Sequence, residues 1–238
     1  MPPTRTPSSP AIAAAIALAM TCAATAHADL TISDPGLYDW NTTASAFEAR
    51  ARADNGSSQT WKSAIWLPGA TAPAVTGGNT RVSPWVSGMA QPFQLDFDAA
   101  SQTVSWTILG RTLVHVVPFS DWTALTAVRL EARTAPGNRS TLSDLTASVD
   151  GTPYAPIPGF ASLSVAAPST FETGPMLYTT APISTLSLRG SAVFDLAAPA
   201  KGDLNRISIR GFEATPIPTP GALALGTLSV LVTTRRRR

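Results

Sequence analysis

The chain has 238 residues, with 17 basic and 15 acidic side chains and a formal charge of +2; 44% of its residues are hydrophobic and only 13% are charged. One cysteine, Cys22, excludes an internal disulfide framework, and the near-balanced charge excludes a polycationic chain of the kind that coats nucleic acid.

Residues 1–10 carry Arg5 and no acid, and residues 11–26 form an Ala-rich apolar run containing Ile12, Ile16, Leu18 and Met20. Ala26-His27-Ala28 closes that run with the small-x-small pattern of a cleaved signal peptide. The expectation is a signal peptide over 1–28, handled by the secretion translocon, and a mature start at Asp29. Cys22 would leave with it, and Met20-Thr21 is a poor match to the small residues that precede a lipidated cysteine. All fifteen acids lie between Asp29 and Glu213, alongside twelve basic residues, so the body carries about −3 once both ends are set aside. The overall basicity therefore resides in Arg5 and the last four arginines, and no nucleic-acid partner is expected.

The body alternates apolar and polar residues over short runs broken by Pro, Gly, Asn and Asp. Asp34-Pro35-Gly36 reads as a turn within a lead-in. Residues 47–54 give the cleanest alternation, with Phe47, Ala49, Ala51 and Ala53 on one face and Glu48, Arg50, Arg52 and Asp54 on the other. Asn55-Gly56 reads as a tight turn. Residues 60–67 read as the returning strand, 68–79 as a loop, and 82–88 as an edge segment because of Pro84. Residues 92–98 and 103–109 predict a hairpin whose Phe93, Leu95, Phe97, Val104, Trp106 and Ile108 share a core. Strands are further predicted at 111–119, in the second half of 122–133, and at 142–149, 160–165, 184–188, 191–196 and 206–211. Residues 135–139 and Asp150-Gly151 read as turns.

Ten to twelve short strands without a clear helix predict an all-β fold: a single antiparallel β-sandwich of jelly-roll type over 29–215. The segments Trp85-Val86-Ser87-Gly88, Pro92 to Asp98, Thr103-Val104-Ser105-Trp106 and Asn205 to Ile209 are similar to secreted domains called choice-of-anchor, a family that carries no established activity.

The tail, 216–238, opens with Pro216-Ile217-Pro218-Thr219-Pro220-Gly221. A mostly apolar stretch follows, and Arg235, Arg236, Arg237 and Arg238 end the chain. Residues 222–232 are too few for the roughly 20 that span a bilayer core, and Gly226, Thr227 and Ser229 interrupt them. Terminal arginines would hold such a short segment on the cytoplasmic side, as a transient membrane stop. This order resembles the PEP-CTERM sorting signal of exported bacterial proteins: Pro218 and Pro220 match its proline pair and Arg235–Arg238 its basic end, whereas Thr219 stands where Glu is usual. The resemblance implies an exosortase-type membrane protease as partner, and delivery to the cell surface or to extracellular polysaccharide.

Candidate chemistry in the body is sparse. His115 follows the core side of an apolar strand. Asp96 and Asp98 share one strand face at roughly 7 Å, a spacing that invites a glycosidase reading. Asp54-Asn55-Gly56 and Asp150-Gly151 offer oxygen atoms to Ca²⁺, although turn chemistry accounts for both. Of the six tryptophans, Trp66 falls out of phase with Ile65 and Leu67 and is the expected exposed glycan contact. No catalytic residue, metal site or cofactor is expected. The leading expectation is a non-enzymatic exported surface or matrix protein; the alternatives are a carbohydrate-binding module using Trp66 and a glycan-active hydrolase on Asp96 and Asp98.

Overall fold

The computed structural model describes residues 28–33, 36, 38–39, 45–53, 61–79, 85–117, 125–166, 171–198, 204–213 and 215–216. The apolar run 11–26 with Ala26, the Asp54-Asn55-Gly56 turn, Pro84, Trp40, Trp122 and the sorting residues Pro218, Thr219, Pro220 and Arg235–Arg238 lie outside the described residues.

The strands, in chain order, are β1 (Leu30–Thr31), β2 (Tyr38–Asp39), β3 (Ser45–Ala53), β4 (Trp61–Trp66), β5 (Val75–Asn79), β6 (Gln91–Asp98), β7 (Thr103–Ile108), β8 (Arg111–Val116), β9 (Leu125–Arg133), β10 (Arg139–Val149), β11 (Ala155–Pro156), β12 (Ser162–Ala166), β13 (Phe171–Ile183), β14 (Thr185–Asp195), β15 (Asn205–Phe212) and β16 (Thr215–Pro216). No helix occurs among the described residues. Sheet I has the order β1-β13-β9-β15-β3-β4-β5; sheet II has the order β11-β10-β14-β6-β7-β8, with β12 also paired to β10; β16 and β2 form a separate pair. Every pairing is antiparallel.

The inner faces of the two sheets meet in one hydrophobic core. The period-2 pattern of β3 buries Phe47, Ala49, Ala51 and Ala53, as its alternation predicts. The β6–β7 hairpin buries all six of its expected core residues, and Phe47 of sheet I stacks on Phe97 of sheet II with ring centroids 6.2 Å apart.

Four expectations need correction. Residues 75–79 were expected in a loop but form β5, the edge strand on β4; Gly77 and Gly78 give it no alternation to read. Residues 85–88, expected as an edge strand, form a turn instead, with the Met89 amide donating to the Val86 carbonyl at 3.0 Å. The two strands expected at 184–188 and 191–196 are one strand, β14. Gly190 does not break it; a Cβ there would lie 2.5 Å from Leu145 Cδ2 and 2.8 Å from Phe93 Cζ, so glycine serves close packing. Finally, β13 was not foreseen at all. Its Gly174-Pro175 and Pro182 argue against a strand, and the register with β9 shifts between Thr173 and Met176 and between Tyr178 and Ile183, which contains both prolines. On its other edge β13 is paired only to β1, at Tyr178 and Thr179, a position that tolerates proline.

Asp150-Gly151 does form the expected turn, with both residues at positive φ (46° and 78°) and the Thr152 amide donating to the Val149 carbonyl at 2.9 Å.

Candidate functional site

The functionally suggestive surface is the outward face of sheet I. Three strands contribute polar residues at alternate positions: Glu48, Arg50 and Arg52 from β3, Arg129, Glu131 and Arg133 from β9, and Arg206, Ser208 and Arg210 from β15. β4 adds Lys62, Ala64 and Trp66. The register sorts these residues into three cross-strand rows. The first is Arg129–Arg210–Glu48–Trp66, the second Glu131–Ser208–Arg50–Ala64, and the third Arg133–Arg206–Arg52–Lys62.

The first two rows form a charge network. Glu48 accepts from Arg50 Nε at 2.9 Å and Nη2 at 3.0 Å, a two-pronged pairing. Arg210 Nη2 lies 3.4 Å from Glu48 Oε2 and 3.3 Å from Glu131 Oε2, and so bridges the two carboxylates. Glu131 also pairs with Arg129 Nε at 3.1 Å and accepts from Ser208 Oγ at 3.3 Å. Both glutamates are buried, at 8% and 3% exposed, and the guanidinium groups around them offset the cost of burying a carboxylate.

Burial alone would raise the Glu48 pKa, but the Arg50 hydrogen bonds and the charges of Arg50, Arg210 and Arg206 outweigh it and hold the carboxyl below its ordinary range. A carboxyl with a depressed folded pKa contributes stability above its unfolded pKa, near 4.3. That contribution is lost as pH falls through the depressed folded value. The melting temperature of wild type should therefore exceed that of Glu48→Gln at neutral pH, and the gap should close on acidification below about pH 4. A gap that is constant from pH 7 to pH 3 would remove Glu48 from this account.

The third row differs. Four cations stand opposite one another across four strands, and they are not left uncompensated: the charge of Arg206 acts on Glu48, and Arg52 and Arg206 both have interaction partners.

Trp66, expected as an open aromatic surface, is half-buried, and the Arg50 guanidinium lies 4.6 Å from its ring centroid. The ring is thus covered on one side, with its indole N–H buried and without a hydrogen-bond partner. Trp66, Arg50, Arg52, Lys62, Ala64 and Pro73 line a hollow of about 360 Å³ at this end of the face.

The carboxylates of sheet II are engaged in local structure. Asp96 accepts from Ser187 Oγ, and from Gln94 Nε2 at 2.7 Å; Ser187 in turn bonds Tyr154 Oη, and Arg189 sits 3.9 Å from the Tyr154 ring centroid. Asp98 accepts from the amides of Ala100 and Ser101 at 2.8 and 3.2 Å, and those backbone bonds, Ser101 first, draw its pKa below the ordinary value. Asp150 accepts from the amides of Ser184 and Thr185, both at 2.8 Å, and so ties the β10 turn to the start of β14. His115 is half-buried on the same side of β8 as Leu113 and Val117, and its Nε2 is without a hydrogen-bond partner. Among the described residues no three His, Cys, Asp or Glu side chains group as metal ligands, and no helix is long and apolar enough to cross a membrane.

Ala28, at the expected signal cleavage point, is buried and lines a second, apolar cleft of about 460 Å³ between β1 and the 147–158 region. Asp29 follows it, donating its amide to Thr180 Oγ1 at 3.0 Å and accepting from the Thr180 amide at 3.2 Å.

The sequence reading missed the cationic face because the rows exist only once β9, β15, β3 and β4 are side by side. The signal was present in three separate runs, Glu-x-Arg-x-Arg, Arg-x-Glu-x-Arg and Arg-x-Ser-x-Arg, each alternating charge with apolar residues. No protein-family model matches the chain, and no curated protein matches it as a relative.

Proposed function

We propose that the chain is an exported protein of the cell surface or extracellular matrix, without catalytic role, whose jelly-roll sandwich is delivered by a cleaved signal peptide and a C-terminal sorting tail. The observation that carries the reading is the order of the two ends: a basic start, an apolar run and Ala26-His27-Ala28, then, at the far end, Pro218-Thr219-Pro220, a short apolar stretch and Arg235–Arg238. The fold is compatible with it. The first and last strands, β1 and β16, fall just inside the two proposed processing regions, and the Asp29 amide that cleavage would convert to a terminal amine already bonds Thr180. The strand neighbours β3-β15-β9-β13 in sheet I and β6-β14-β10-β12 in sheet II support the jelly-roll reading, with β4–β5 and β7–β8 as added hairpins at one side. A membrane protease of exosortase type is the proposed partner of the tail.

Mass spectrometry of the protein recovered from its native cell envelope is the test. The expected polypeptide starts at Asp29 and ends near Pro218–Pro220. Replacing Arg235–Arg238 by Ser should release full-length protein into the periplasm or medium, whereas Pro218→Ala with Pro220→Ala should leave an uncleaved, membrane-held form. Wild-type behaviour of both variants would remove the sorting reading, and an N-terminus that retains residues 11–26 would remove the signal peptide.

A second reading, glycan binding, is favoured by one observation, the hollow beside Trp66. Its lining of Arg50, Arg52 and Lys62 directs that reading away from stacking on neutral sugars.

A further inference from the structure

We propose that the fold itself closes the Ala28–Asp29 bond to proteolysis, so that the signal peptide is removed only while the body is still unfolded. That a cut occurs there rests on the export reading; the sealing of the bond rests on the structure.

A protease takes its substrate as an accessible, extended segment on both sides of the bond it cuts, which is why nicking concentrates in exposed loop tips. The folded chain around Ala28 offers no such segment. Ala28 and Leu30, on either side of Asp29, are each only 6% exposed and belong to the hydrophobic core. They line one cleft together with Ala147, Val149 and Ile157. The Asp29 backbone is held at both of its polar groups: the amide donates to Thr180 Oγ1 at 3.0 Å, and the carbonyl accepts from the Thr180 amide at 3.2 Å. Leu30 and Thr31 then pair with Thr179 and Tyr178. Cutting the bond would require these backbone groups to be released and Ala28 and Leu30 to be lifted out of the core.

The strand that receives β1 is itself fixed. Thr179 of β13 is fully buried, and its hydroxyl donates to the Thr126 carbonyl of β9 at 2.9 Å. The seat therefore stays in place when β1 leaves it, and access to the bond is set by the local undocking of β1. Cleavage of the folded chain runs through that open form and is slowed by its small population.

Sequence separation sets the order of events. Asp29 and Thr180 are 151 positions apart, and the far wall of the cleft, 147–158, is also distant in the chain. During N-to-C passage through a translocon, the bond stays open until the chain beyond Thr180 has emerged, and it closes as β13 folds. A body that folded before export would carry its cleavage point already sealed. The translocon that fits this fold is therefore one that passes an unfolded chain.

The test uses the purified full-length chain in detergent with a bacterial signal peptidase. The chain is added either folded or diluted from urea directly onto the protease. The urea-diluted chain should be cut after Ala28, and the folded chain at least about tenfold more slowly. Leu30→Asn weakens the docking of β1 and should bring the folded rate back towards that of the unfolded chain. Thr180→Val removes only the hydroxyl that accepts from the Asp29 amide; it should raise the folded rate less, and it decides the matter if Leu30→Asn fails to fold. Each variant is compared with its own urea-diluted form, which cancels any change in how the protease reads the altered sequence. Equal rates for folded and unfolded wild type would overturn the proposal and leave the export reading standing. A folded wild type that is cut slowly, with both variants equally slow, would place the protection elsewhere and also overturn it. An unfolded chain that is not cut after Ala28 would remove the signal peptide, and this proposal with it.

Discussion

Replacing Trp106 by alanine is expected to destabilise the fold by about 3–5 kcal/mol, the range for truncating a fully buried large aromatic side chain. Trp106 has no exposed surface, lies opposite Leu95 on one side and Leu113 on the other, and packs on Phe93 with ring centroids 5.4 Å apart. It therefore joins three neighbouring strands of sheet II at the centre of the core. Its indole N–H is buried without a hydrogen-bond partner, and such an orphaned donor costs roughly 1–3 kcal/mol. Trp106→Phe removes that donor while it keeps a ring in place, so the phenylalanine variant should lose much less, about 1–2 kcal/mol. Urea unfolding of the three proteins checks this. Equal losses in Trp106→Ala and Trp106→Phe would mean that the orphaned donor is compensated or that the site collapses after truncation.

The contrast between what was readable in advance and what was not follows from the range of the interactions. Strands β3, β6, β7 and β15 announce themselves because apolar core residues alternate with polar ones along each, which is a local property of the chain. β13 does not, because its pairing with β9 tolerates Gly174, Pro175 and Pro182 through register shifts that only the neighbouring strand defines. β5 is hidden for a related reason: two of its residues, Gly77 and Gly78, have no side chain to show a pattern, and an added Cβ at Gly78 would lie 2.5 Å from the Trp61 carbonyl. Trp66 was correctly placed on the outward side of β4, but its partner Arg50 comes from β3, so its half-covered state was not legible from the run 60–67. The cationic row is the extreme case. Its four members come from four strands separated by up to 154 positions, between Arg52 and Arg206, and total charge hides it because the acids on sheet II cancel it in any sum over the chain.

Glu131→Gln should destabilise the fold by breaking a buried charge network. Glu131 is 3% exposed and is held by Arg129, Arg210 and Ser208. Removing its charge leaves two guanidinium groups facing each other with Glu48 as the remaining carboxylate of the network. A wholly buried pair broken in this way costs about 3–5 kcal/mol, but the Arg129 and Arg210 side chains are 30% and 27% exposed and can be partly rehydrated. The expected loss is therefore about 2–3 kcal/mol. Arg210→Met should lose less when combined with Glu131→Gln than when made in the wild type, since the two residues share one network and their effects are not additive. Stability within about 0.5 kcal/mol of wild type would show that the network contributes little to folding.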